Sequence, residues 1–255
     1  MAAPITNIAT ADATSVTIRG RDLVNELIGK HSFTEVFYFL VTGRIPDAAQ
    51  ARVLDACLVT LMEHGFTPSA LVARMMAESV PDQIQVSIGA GLLAIGSVHA
   101  GTMEGCAALL ESGVDEADAD TWCRRIVAEH RQRKEAVPGF GHGLHKPDDP
   151  RTPPLLRVAK ENGLDGRYVQ LLLKLSATID EIAGRHVTIN ATGALAALLL
   201  EIGIPAQIVR AIAVVSRSAG LVGHILEEQQ TDSARHLVKL ARETIPYRDP
   251  SPTSS

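Results

Sequence analysis

His142 closes the run Val137-Pro138-Gly139-Phe140-Gly141-His142, and Lys146 and Arg151 follow within the next nine residues. Imidazole, ammonium and guanidinium on one short segment are suited to holding an anion. Gly139, Gly141 and Gly143, with Pro138 and Pro147, do not belong in a helix interior. The segment therefore reads as a rigid loop between helices. Its glycines let main-chain N–H groups approach a ligand closely. A connecting loop with incidental charge fits the same composition, and residue types alone leave both readings open.

The elements that must carry this loop are helical. Ser32, followed three residues on by Glu35, is a capping box ahead of a helix over Phe33–Thr42, and Gly43 stops it. Apolar spacing predicts further helices over 21–30, 49–64, 68–78, 102–112, 117–134, 153–162, 167–185, 191–202, 205–229 and 233–242. Residues 84–96 are almost entirely small or apolar, which predicts a helix buried on all sides. No strand alternation and no fixed-period repeat stand out, so the expected fold class is all-α. Residues 1–15 read as a flexible N-terminal arm and 251–255 as a disordered tail.

Bulk composition bounds the rest. At 255 residues, with 46% hydrophobic and only 4% aromatic residues, the chain can bury a substantial core as one large domain or two interleaved ones. A net charge of −5 gives no electrostatic case for nucleic acid. The first residues carry no basic-then-apolar leader pattern, and the longest apolar run, Ala194–Leu200, is too short to span a bilayer. Cys57, Cys106 and Cys123 lack CxxC spacing and read as reduced core thiols of a cytoplasmic protein. The nine histidines form no HxxxH or HExxH pair, so no metal is expected.

Several segments, taken in order, carry a family likeness. They are Ile18-Arg19-Gly20 with Leu23, then Ser32-Phe33-Thr34-Glu35-Val36, then Gly43-Arg44-Ile45-Pro46. His64 follows with Pro68-Ser69-Ala70 and Ala73-Arg74, and after it Ser97-Val98-His99-Ala100-Gly101-Thr102-Met103-Glu104. Pro138 to Arg151 comes next, then Asn190-Ala191-Thr192-Gly193 with Gly203-Ile204-Pro205. Arg217 with Gly220 and His224 closes the set. Over roughly residues 16–250 this order resembles the citrate synthase family, and its short citryl-CoA lyase-like branch above all.

The resemblance implies a helical dimer. A large subdomain (about 16–99 and 216–250) would be closed over by a smaller one (about 100–215), with a CoA thioester and a keto-dicarboxylate meeting in the cleft. It implies citryl-CoA cleavage to acetyl-CoA and oxaloacetate, or the reverse condensation, with no tightly bound cofactor and no metal. His99 would hold the enolate oxygen, and His142 the keto or hydroxyl oxygen, accepting the hydroxyl proton on cleavage. Arg151 and Arg217 would clamp substrate carboxylates, with His64 and Arg248 as further substrate ligands. Val137, Pro138, Gly139, Phe140 and Gly141 would present backbone to CoA, and Lys146 would meet its phosphates. His99 as a structural histidine and Arg217 as one side of a structural salt bridge remain alternatives.

Thr192 departs from the pattern, because it stands where the family carries its catalytic aspartate. A hydroxyl has no useful acid–base pKa near neutrality, and losing such a group costs on the order of 10²–10⁴ in rate. Gly143 departs too, where many relatives carry arginine after the loop histidine. Glu104, Asp180 or Glu181 could replace the missing carboxylate. A thioester hydrolase of the same fold, or a non-catalytic protein binding CoA metabolites, are the other readings.

Overall fold

A computed structural model describes residues 3–249, without the side chains of residues 97–100. It is helical apart from one small sheet near the N-terminus. Strands β1 (Ala9–Ala11), β2 (Val16–Ile18) and β3 (Arg21–Asp22) pair antiparallel in that order, with Ala9 opposite Ile18. Residues 9–15, expected as part of a flexible arm, belong to this hairpin. Asp12 makes the hairpin: its Oδ1 accepts the N–H groups of Thr14 and Ser15, both at 2.8 Å. Those bonds hold its carboxyl down at about 2. The segment 21–30 is likewise no regular helix; β3 runs into a π-helical turn at Leu23–Leu27.

Eleven α-helices follow among the described residues: α1 (Phe33–Thr42), α2 (Ala48–Met62), α3 (Pro68–Ser79), α4 (Ile84–Leu93), α5 (Ser97–Gly113), α6 (Ala119–Arg133), α7 (Thr152–Glu161), α8 (Arg167–Ala183), α9 (Ala191–Glu201), α10 (Val209–Thr231) and α11 (Ser233–Thr244). The capping box at Ser32 and Glu35 is present, and Gly43 ends α1 in the left-handed conformation. Cys57, Cys106 and Cys123 are free and buried.

The chain divides into two compact units. Unit 1 takes the residues up to Thr60 together with Ser97–Ala213, and unit 2 takes Leu61–Gly96 with the segment from Val214 onward. Residues 16–60, expected to join 61–99 and 216–250, fall instead with 97–213. The tie is specific, since the Tyr38 hydroxyl donates to the Ile202 carbonyl at 2.6 Å, fastening α1 to the end of α9.

In unit 1 the central helix is α9, buried at Ala191 and from Gly193 through Leu200 and covered by α5, α7 and α8. Each fully buried leucine there contributes about 2–3 kcal/mol. In unit 2, α3 packs on α4 and α11, around Ala73, Ala77, Leu221 and Ile225. The expectation that residues 84–96 run through the core is not met. Only Ser87 and Gly91 of α4 are buried, and Leu93 is 88% exposed. Both α4 and α9 are apolar all round, but α9 is surrounded by α5, α7 and α8, whereas α4 packs on α3 and on Leu221 and Ile225 of α10. Residues Ala206–Thr231 are apolar and long enough to cross a membrane by length and composition. Yet Arg217, His224 and Glu228 on this stretch all engage charged side chains of the same unit, as a packed helix of a folded domain does.

Candidate active site

The loop after α6 is seated on the start of α9 by backbone and one amide. Asn190 caps α9, its Oδ1 accepting the Gly193 N–H at 3.0 Å, while its Nδ2 donates to the Gly141 carbonyl at 2.8 Å. Its own N–H donates to the Gly139 carbonyl at 3.1 Å, and the Gly141 N–H donates to Thr188 at 2.8 Å. Gly139 has φ +88°, and a Cβ there would sit 2.6 Å from the Cys106 sulfur. A Cβ on Gly193 would run into the Gly139 carbonyl. Two glycines therefore set how closely loop and helix approach. Beneath them, burial pushes the Cys106 thiol up to about 12, so it is an inert packing group.

His142 is oriented by its own loop. Its Nδ1 accepts the N–H groups of Leu144 at 3.1 Å and His145 at 2.9 Å. With Nδ1 an acceptor, the ring proton of the neutral imidazole sits on Nε2. Burial, then the neighbouring His145, holds His142 below the ordinary imidazole pKa; Arg151 adds to this and Asp149 opposes it. A ring already protonated at Nε2 and blocked at Nδ1 is a hydrogen-bond donor.

Arg151 lies beside it, with Nη2 3.5 Å from His142 Nε2. Asp149, fully buried, grips Arg151 from behind and also accepts the Ala191 N–H at 2.9 Å. Asp149 is held far below the usual carboxylate range: burial pushes up, and the Arg151 and Ala191 hydrogen bonds outweigh it. One carboxylate thus ties Arg151 to the first turn of α9, where Thr192 stands. Lys146 is exposed on the same loop.

Thr192 donates to Asn190 Oδ1 at 2.6 Å and lies 3.1 Å from the Thr102 hydroxyl. Each carboxylate considered as a replacement is committed to a cation: Glu104 to Arg210, Asp180 to His186 and Glu181 to Arg124. His99 lies in the first turn of α5 rather than on a loop, and its side chain is outside the described residues.

Unit 2 holds the other expected residues. His64 follows α2 and is half-buried, and Arg217 on α10 lies 3.7 Å from Glu63, so the salt-bridge alternative for Arg217 is partly realised. Arg248 is exposed beyond α11. A groove of 490 Å³ in unit 1, between α6 and α8, has Phe140 and Gly141 on its wall and Arg131, Lys134 and Arg185 on its rim. Lys146 is not one of its lining residues. Among the described residues, no group of three or more His, Cys, Asp or Glu is placed to hold a metal ion.

Residues 46–242 match the model of the citrate synthase C-terminal domain. The chain belongs to the citrate synthase family. It is 29% identical over 231 residues to a 2-methylcitrate synthase of Shewanella oneidensis, covering 87% of this chain and 58% of that relative. It is 26% identical to a citrate synthase of Heyndrickxia coagulans, over 79% of this chain and 53% of the relative. The chain thus spans a little over half the length of these curated relatives. Among solved structures, the citryl-CoA lyase from Hydrogenobacter thermophilus superposes with a TM-score of 0.88 at 28% identity, covering 98% of this chain and 96% of that one. ATP citrate lyase from Methanothrix soehngenii, solved with citrate and coenzyme A, shares the fold at 21% identity and TM-score 0.83, with 42% of its chain covered.

Within this family fold, several residues at the site escaped the sequence reading. Asp149 stands two residues before Arg151 in Asp-Pro-Arg, and a carboxylate so close to a candidate arginine was the available signal. Asn190 was noted only as part of Asn190-Ala191-Thr192-Gly193, and an asparagine directly before the helix start at Ala191 was the available signal. Thr102 had no signal, because its partner Thr192 is 90 residues away.

Proposed function

We propose that this chain cleaves a citryl-CoA-type thioester to acetyl-CoA and oxaloacetate, or runs the reverse condensation. The likeness to a citryl-CoA lyase over nearly the whole of both chains supports the class. The observation that carries the chemistry is the pair of donors His142 Nε2 and Arg151 Nη2, 3.5 Å apart. Two N–H groups at that spacing suit a single oxygen on which negative charge develops. In the cleavage the substrate hydroxyl loses its proton to water, its oxygen, held by these two donors, becomes the keto oxygen as the C–C bond breaks, and the enolate carbon takes a proton from water to give acetyl-CoA. His99 is assigned to the thioester carbonyl, which becomes the enolate oxygen. Arg151, Arg217, His64 and Arg248 are assigned to substrate carboxylates, Arg-to-carboxylate pairing being the strong form of this contact. The loop backbone Val137–Gly141 is assigned to CoA. Arg131, Lys134 and Arg185 on the adjoining groove suit its phosphates better than Lys146 does.

Thr192 favours a second reading. Its hydroxyl, tied to Asn190, is a poor substitute for a carboxylate in α-proton transfer. Thioester hydrolysis, or binding without turnover, needs no such group. We also propose a homodimer. The apolar face of α4, with Ile84 48% exposed, Leu93 bare, and Val222 and Leu226 on α10 in the same unit half exposed, suits a second copy of this chain. Light scattering at micromolar concentration tests that point, and a monomer refutes it.

The deciding experiment follows oxaloacetate and free CoA separately from citryl-CoA, with wild type and Thr192→Asp. Oxaloacetate from the wild type supports the lyase. CoA without oxaloacetate makes the chain a hydrolase. A silent wild type with activity gained by Thr192→Asp makes it a binding protein on a preserved site.

A further inference from the structure

Unit 2 contains a row of charged groups that the proposed chemistry does not itself use. Arg74 on α3 is 1% exposed, and a guanidinium so buried demands partners. Its Nη1 donates to Glu228 at 3.0 Å and to Ser233 at 3.1 Å, its Nη2 pairs with Glu227, and the Phe66 ring lies 5.1 Å away. Its Nε donates to His224 Nδ1 at 2.9 Å. That bond makes Nδ1 the acceptor and leaves the ring proton on Nε2. His224 Nε2 in turn faces the Glu63 carboxylate at 3.0 Å.

Glu63 has two further neighbours. Its Oε1 accepts the backbone N–H of His64 at 2.7 Å, and its Oε2 lies 3.7 Å from Arg217 Nη1. Gly220 on α10 leaves room for it, since a Cβ there would run into the Met62 carbonyl and the Glu63 carboxylate. One side chain at the end of α2 therefore meets the guanidinium of Arg217 and the backbone N–H of His64, two of the three residues of this unit assigned to substrate carboxylates.

We infer that Glu63 is a positioning residue for Arg217 and His64, and that His224 and Arg74 hold Glu63 to that task. The inference rests on the reading of Arg217 and His64 as ligands for substrate carboxylates. At 3.7 Å the contact to Arg217 is too long for a hydrogen bond, so Glu63 steers that guanidinium by charge alone. Steering by charge requires that the carboxylate itself stay put. The Glu63 side chain is 41% exposed, and a free glutamate keeps its rotamers. The His224 ring edge, 3.0 Å from the carboxylate, restricts that freedom, and the Arg74 Nε hydrogen bond to Nδ1 fixes the ring that does so. Arg217 and His64 are then ordered before the substrate arrives.

The test uses oxaloacetate, with binding measured by calorimetry and turnover in the condensation or cleavage assay. Glu63→Asp keeps the charge but draws the carboxylate back by one methylene, so it cannot serve His224 and Arg217 together. Its KM and dissociation constant for oxaloacetate should rise roughly ten-fold, the scale of a lost ordering contribution, with kcat changed less than about two-fold. His224→Leu should match it, and His224→Gln, which still offers an amide donor, should recover most of the loss. The double variant Glu63→Asp/His224→Leu should bind no worse than the weaker single variant. Glu63 is partly exposed, so its variant reports even where His224→Leu fails to fold. Wild-type binding left intact by Glu63→Asp overturns the inference alone. A wild type that binds no oxaloacetate removes the reading of Arg217, and the inference with it.

Discussion

Asp149 grips Arg151 along one whole edge of its guanidinium, Oδ1 to Nε at 2.9 Å and Oδ2 to Nη2 at 2.8 Å, and the carboxylate is fully buried. That fork fixes which way the remaining Arg151 donors point. Asp149→Asn removes the charge and leaves an amide against the guanidinium. Breaking such a pair costs about 3 kcal/mol, at the low end because Arg151 is 26% exposed and can turn to water. The expected outcome is a thermal midpoint lower by roughly 6–12 °C and a loss in kcat/KM of on the order of 10²-fold. A midpoint unchanged in calorimetry would show that the fork is not holding the loop.

His142 gives a pH dependence whose sign is set by geometry. Adding a proton to Nδ1 requires the Leu144 and His145 N–H groups to turn away, and burial and His145 already disfavour the cation. The neutral donor form is therefore kept from neutral pH down past the usual imidazole value near 6.5. The acid limb of kcat/KM should bend below that value. Asp149 favours the cation, so Asp149→Asn should carry the bend lower still. The unfolded chain takes the proton first, so this group also draws stability away as pH falls below about 6.5. An acid limb centred above 6.5 would contradict this orientation.

How much of this was legible beforehand differs by residue for physical reasons. The capping box at Ser32 and Glu35 is local, and local rules read it correctly. Helices α1–α3 and α5–α11 follow from apolar spacing. The hairpin around Asp12 did not, because strands of two or three residues are too short for alternation to register. The misplacement of α4 has another cause: an apolar helix demands a cover, and sequence does not say whether the same chain supplies it. Within the site, His142 and Arg151 were visible as types. The orientation of the His142 ring was not, because it depends on two backbone N–H groups that only a folded loop brings to Nδ1.

Gly193 tests how the loop and α9 fit together. A methyl group there meets the Gly139 carbonyl, and Gly139 has no retreat because Cys106 lies behind it. Gly193→Ala should favour α9 by helix propensity and still lose stability. Overpacking of this kind costs about 1–3 kcal/mol against a propensity gain of about 1. The more sensitive readout is CoA affinity, since the displaced segment is Val137–Gly141. Unchanged CoA affinity in the variant would detach that segment from the thioester.

His186 joins the site loop to α8 through two carboxylates, Asp180 Oδ2 at 2.7 Å from Nδ1 and Asp148 Oδ1 at 2.9 Å from Nε2. Hydrogen bonds to Asp180 first, and then to Asp148, raise its pKa. A neutral ring would turn a lone pair toward one of the two carboxylates, so the bridge belongs to the imidazolium. A folded-state pKa above the unfolded value means the contribution is complete below about pH 6.5 and disappears as pH climbs through the raised folded value. His186→Ala should therefore lower the thermal midpoint more at pH 6 than at pH 9. The histidine is half exposed, so 1 M salt should shrink the pH 6 difference. Because Asp148 precedes Asp149, the variant should also weaken substrate binding at pH 6 while leaving it close to wild type at pH 9. Equal losses at both pH values would assign His186 a packing role in place of a charged one.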